Sequence, residues 1–127
     1  MAKYKFTNEY EIRASTKMLY PYLSTPAGLQ DWFADKVITE DKLYHFEWDD
    51  EIHTGRIVSQ RVNKSIKFEF EEEGEGRPSY IEFKLEANEM TESSFLKITD
   101  YSSANNEEDL HKFWDGLVGN LRELVGG

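Results

Sequence analysis

The sequence predicts an α+β fold in which a run of antiparallel strands packs one face on a long helix near the C-terminus. Three observations predict it. Between residues 36 and 101 apolar side chains recur at every second position, as Tyr44, Phe46 and Trp48, then Ile66, Phe68 and Phe70, then Ile81, Phe83, Leu85 and Ala87. That is the period of strands with one buried face. Beyond residue 105 the spacing changes to four and three, through Leu110, Trp114, Leu117, Leu121 and Leu124, the period of an amphipathic helix. Ahead of both, two short helical pieces follow a single strand.

The first strand spans residues 4–12, with Tyr4, Phe6, Tyr10 and Ile12 alternating against Lys5, Thr7, Glu9 and Glu11. Asn8 interrupts the apolar face. A helical piece runs from about Ser15 to Ser24, and a second from Pro26 to Phe33, with Thr25 as N-cap and Pro26 at the first helical position. From Lys36 to Tyr101 the pattern is β, with turns expected at Asp49–Asp50, Arg61–Lys64, Glu73–Ser79 and Asn88–Ser93. An antiparallel meander is the economical arrangement. The acidic run EEEGEG, Glu71 to Gly76, is expected to be a solvated hairpin tip. In the last helix Asn105 is expected to cap the N-terminus, with Glu108 completing a capping box. Phe113, Val118 and Val125 widen its stripe, and Gly116 and Gly119 are expected where a neighbour comes close.

With 127 residues the chain is expected to be one domain over residues 1–127, burying about two-thirds of its unfolded surface. Its 8 Phe, 7 Tyr and 3 Trp give bulky walls to the core. The absence of cysteine excludes disulfides and thiolate chemistry. No apolar run or leader suggests a membrane span or secretion, so a cytoplasmic location is expected. A net charge of −10 argues against nucleic acid and anionic membrane surfaces as partners.

The stretch ASTKMLYPYLSTPAGLQDWFAD resembles the opening motif of the activator-of-heat-shock-protein-90-ATPase homologues, a branch of the START-like (SRPBCC, helix-grip) superfamily. The motif places are taken by Ala14-Ser15-Thr16, Leu19-Tyr20, Leu23, Thr25-Pro26, Leu29 and Trp32-Phe33. Thr16 stands where the family usually has Pro, and Pro21 where a helix former is usual. The final helix, FWDGLVGNLRELV, is similar to the family's closing Trp-then-Leu pattern. The resemblance implies a curved sheet wrapped around the C-terminal helix, as in START and Bet v 1-like proteins, with any ligand held between them. It also implies that the second short helix closes one end of that space, one ring of Trp32–Phe33 sealing the core and the other at a pocket rim.

The expected function is non-catalytic binding of a small hydrophobic or aromatic molecule in that cavity. Its walls would be Trp32, Phe33, Tyr44, Phe46, Trp48, Phe68, Phe83, Trp114 and Leu117, with Arg56 or Asp100 as polar anchor. Pairing Trp48 with Ile52 across the hairpin puts Arg56 opposite Tyr44, on the inner face. The same register gathers His45, Glu47 and His53 on the outer face, where nothing organises them as metal ligands, so neither metal nor cofactor is expected. One alternative is a co-chaperone-like module that docks on a chaperone or another protein through its acidic surface. A second is a cyclase- or hydrolase-like cavity enzyme, although no recognisable catalytic constellation is present.

Overall fold

The computed structural model describes residues 3–71, 78–103 and 107–126. Seven strands form one antiparallel sheet in the order β1-β7-β6-β5-β4-β3-β2. The elements follow the chain as β1 (Tyr4–Ile12), α1 (Thr16–Ser24), α2 (Pro26–Trp32), β2 (Lys36–Glu40), β3 (Leu43–Trp48), β4 (Glu51–Arg61), β5 (Ser65–Phe70), β6 (Tyr80–Ala87), β7 (Ser94–Ser102) and α3 (Glu107–Val125). Strands β2 to β7 are the expected meander, and β1 returns to pair with β7. The two short helices therefore carry the chain from one sheet edge to the other. The EEEGEG tip beyond Glu71 and the Asn105 cap lie outside the described residues.

Local chemistry explains the helical insert. Ser15 Oγ accepts from Met18 N at 3.0 Å and Thr25 Oγ1 accepts from Gly28 N at 3.0 Å, so each helix starts on a hydroxyl cap. Helix α1 runs on through Pro21, whose carbonyl accepts from both Thr25 N and Thr25 Oγ1. A Cβ on Gly28 would sit 2.2 Å from that carbonyl oxygen, so the close approach of α1 and α2 requires glycine there. Tyrosine hydroxyls then tie the insert down, Tyr20 donating to Ser65 O at 2.9 Å and Tyr44 to Ser24 O at 2.7 Å.

On the inner face of the sheet Phe6, Ile12, Phe46, Ile66, Phe68, Phe83, Leu96 and Ile98 are buried together with Leu19, Leu23, Leu29, Trp32 and Phe33. Helix α3 joins them through Leu110, Trp114, Val118 and Leu121. This rotates the stripe slightly from the expected one. Val118 takes the central place expected of Leu117, which is only partly buried, and Leu124 is exposed while Val125 packs on the core. Around Gly116 and Gly119 nothing lies within 4 Å of a built Cβ, so no close neighbour calls for either glycine.

Two further corrections concern the β3 side of the sheet. Strand β2 and its turn at Asp41 were not separated by the sequence pattern; Asp41 takes a left-handed φ of 56° and the strand buries only Val37. The β3–β4 turn falls at Asp49–Asp50 as expected, but Trp48 does not pair with Ile52 across it. Asp49 and Asp50 adopt φ of 49° and 67°, both left-handed as in a type I′ turn, and Trp48 pairs with Glu51. The whole of β4 is thereby shifted by one position from the expected register.

Candidate functional site

The register shift decides which polar groups face inward. His53 lies opposite Phe46 and so joins the inner face, while Arg56 lies opposite Leu43 on the outer face and is exposed. Arg56 therefore takes no place among the cavity walls. His45 and Thr54 pair on the outer face, His45 Nδ1 lying 2.9 Å from Thr54 Oγ1. The grouping of His45, Glu47 and His53 does not form, because a one-residue slip sends a side chain to the other face. Among the described residues no group of three or more His, Asp or Glu is placed to hold a metal ion.

Trp114 is the centre of the packing. It is fully buried, stacks on Phe33 with centroids 5.6 Å apart and planes 17° apart, and meets Phe83 edge to face at 6.0 Å. Its indole Nε1–H donates to Asp100 Oδ2 at 2.9 Å. Asp100 is 5% exposed. Burial raises its pKa above the ordinary value of 3.8, and hydrogen bonds from Ser102 and Trp114 act in the opposite direction. Phe33 also meets Phe46 and Trp48 edge to face, and Trp48 Nε1–H donates to the Phe33 carbonyl at 2.6 Å. Trp32 turns to the other side, packing on Phe83 and donating its Nε1–H to Tyr22 O at 2.8 Å.

Beside this cluster a pocket of about 280 Å³ opens between the N-terminal part of α3 and the sheet. It is lined by Phe33, Trp48, His53, Phe70, Glu71, Ser79, Ile81, Asp100, Ser102, Ser103 and Phe113. Of the expected walls, Phe33, Trp48 and Asp100 line it. Trp32, Tyr44, Phe46, Phe68, Phe83 and Trp114 lie behind in the packed core, and Leu117 is partly buried away from the pocket. Both rings belong to the buried core, and of the two Phe33 also lines the pocket. Phe70 and Ile81 carry the inner-face parity of their strands and were within reach of the sequence pattern. Phe113 lay on the flank of the helical stripe, and His53 needed the correct β4 register.

Tyrosines near the core edge are held protonated. Burial pushes Tyr10 up to about 12, helped by its 2.7 Å hydrogen bond to Asp115, and burial raises Tyr20 and Tyr44 as well. Their hydroxyls act as structural donors rather than as acids near neutral pH.

A profile of the START-like superfamily domain matches residues 1–127. Among solved structures, BfR322 from Bacteroides fragilis is 38% identical, with 98% of this chain and 93% of that chain covered and a TM-score of 0.63. The Aha1 dimer from Colwellia psychrerythraea is 17% identical, with 94% of each chain covered and a TM-score of 0.77. DynU16, from the dynemicin biosynthetic locus, is 14% identical, with 96% of this chain and 47% of that chain covered and a TM-score of 0.76. At such identities the last two likenesses speak to the fold alone. No curated protein matches the chain. Among the described residues no helix is long and apolar enough to cross a membrane.

Proposed function

The chain belongs to the START-like superfamily, and from that premise we propose that it binds a small apolar or aromatic molecule, without transforming it, in the pocket between α3 and the sheet. One observation carries the proposal: Phe33, Trp48, Phe70, Ile81 and Phe113 line a single pocket beside one buried acid, Asp100. These five apolar side chains stand beside His53, Glu71, Asp100 and three serines, and apolar walls with placed polar groups are what a small-molecule site uses for affinity and orientation. Helix α3 supports it by where it touches, since Leu110, Trp114, Val118 and Leu121 are buried while Phe113 is 46% exposed beside the opening.

Native mass spectrometry of the protein purified from its own host, followed by thermal shift with whatever is released, tests the proposal. A ligand present at about a hundred times its dissociation constant adds about 2.7 kcal/mol of stability. A protein that emerges empty, and that no apolar or aromatic compound stabilises, contradicts it.

A protein-docking role is the second reading, favoured by the net charge of −10. Capture of a chaperone or another protein at low salt, lost at moderate salt, is its signature, because exposed charges are screened and an apolar pocket is not. Turnover of a pocket-bound compound that Asp100→Asn abolishes would instead favour a cavity enzyme.

A further inference from the structure

The pocket has a sign of charge as well as a shape. Among the described residues that line it, two are carboxylates, Asp100 on β7 and Glu71 just after β5, and none is Lys or Arg. His53 is the basic group among the described lining residues, and its Nε2 lies 3.6 Å from Glu51 Oε2. Asp100 is buried, and its partners are neutral donors, the Trp114 indole N–H and the Ser102 hydroxyl. A buried carboxylate without a cation is costly, and the usual remedy is an opposite charge. The same pocket is lined by the rings of Phe33, Trp48, Phe70 and Phe113. Aromatic faces attract cations, the more so where water is thin.

We propose that the molecule held in this pocket is a small organic cation, an aromatic or alkyl amine whose protonated nitrogen meets Asp100 and whose apolar body lies against Phe33, Trp48 and Phe70. This rests on the pocket being a ligand site and narrows what that ligand is. Carboxylates, fatty acids and phosphates are disfavoured on the same ground, since they would bring a third negative charge to two acids. The volume of about 280 Å³ lies just below the about 300–1,000 Å³ usual for ligand pockets, which suits a one- or two-ring amine better than a lipid. The net charge of −10 raises the local concentration of cations at the mouth.

Three probes that share a ring and differ in charge test this: tryptamine, the neutral tryptophol and the anionic indole-3-acetate, each titrated calorimetrically into the full chain at pH 7. Tryptamine is expected to bind about tenfold more tightly than tryptophol, with indole-3-acetate weakest. In Asp100→Asn, checked for folding by circular dichroism, the preference for tryptamine over tryptophol should disappear. Trp48→Leu removes a wall and no charge, so it should weaken tryptamine and tryptophol together. Tryptophol or indole-3-acetate binding as tightly as tryptamine overturns the cation assignment while leaving the pocket reading intact. A tryptamine preference that survives Asp100→Asn also overturns it, because it then belongs to the acidic surface. If none of the three binds, the assignment fails, and an empty result with neutral apolar compounds as well removes the ligand site with it.

Discussion

Replacing Trp114 by alanine removes the ring on which α3 sits. The side chain is fully buried, stacked on Phe33 and flanked by Phe83 and Phe113 with centroids at 6.0 and 5.3 Å. Emptying such a site costs about 3–5 kcal/mol in lost transfer and cavity terms. The substitution also takes away the 2.9 Å donor of Asp100, and a buried acceptor short of a partner costs about 1–3 kcal/mol more. A total of at least about 4 kcal/mol is expected, a large share of the roughly 5–15 kcal/mol that holds a domain folded. Two companions separate the terms. Trp114→Phe keeps a six-membered ring but loses the N–H and the rest of the bicycle, so it should cost less than Trp114→Ala and at least the about 1–3 kcal/mol of an acceptor left short of its donor. Phe113→Ala, at a half-exposed neighbouring position, should cost under about 1 kcal/mol. Equilibrium urea unfolding followed by far-ultraviolet circular dichroism is the suitable assay, since Trp fluorescence would change baseline with the substitution. A loss below about 1 kcal/mol for Trp114→Ala, or an equal loss for Phe113→Ala, would refute the burial argument.

Three further outcomes are expected. Gly28→Ala places a Cβ against the Pro21 carbonyl and should destabilise by about 1–3 kcal/mol, whereas Gly116→Ala and Gly119→Ala, with open space around them, should each stabilise by about 0.5–1 kcal/mol in urea unfolding; the same sign at all three sites would contradict the helix placements. Asp50→Gly should raise the unfolding midpoint, because a non-glycine residue at φ 67° carries about 1 kcal/mol of strain; a lowered midpoint argues against the two-residue turn. Finally, a carboxyl whose pKa is higher in the fold than in the unfolded chain contributes stability that is complete below the unfolded value and lost as pH rises through the folded one. With the pKa of Asp100 raised by burial, wild type should therefore lose stability relative to Asp100→Asn on going from pH 4 to pH 7, and a difference that stays flat across this range would show the carboxyl to be unperturbed.

Much of the fold is legible in the sequence where a pattern has one physical solution. The alternation in β3, β5 and β6 puts Phe46, Phe68 and Phe83 on the buried face, and Thr25-Pro26 fixes the start of α2 to the residue. Legibility fails where the period leaves a choice. A helix of 3.6 residues per turn offers adjacent candidates at each level of the stripe, Leu117 or Val118 and Leu124 or Val125, and only the rotation of α3 on the sheet selects Val118 and Val125. Strand β2 escaped for a related reason. With one buried residue in five it has no alternation to see.

The site was less legible, and a single strand accounts for most of that. The β4 sequence EIHTGRIVSQR has no period of its own, and its burial follows no alternation, so its inner face can be assigned only through the turn that precedes it. Pairing Trp48 with Ile52 brings Arg56 inside and leaves His53 among the outer polar groups. The two left-handed aspartates at 49 and 50 make a two-residue turn and reverse both assignments. The consequence reaches beyond geometry. With Arg56 turned inward, a guanidinium would share the inner face with Asp100, and the argument for a cationic ligand would lose its ground. With Arg56 outside, the acids among the described lining residues are Asp100 and Glu71, and the proposed positive ligand is the partner that would relieve the buried carboxylate. The proposed preference for a cation thus depends on the register that follows the hairpin turn, which is why β4 register and that proposal stand or fall together.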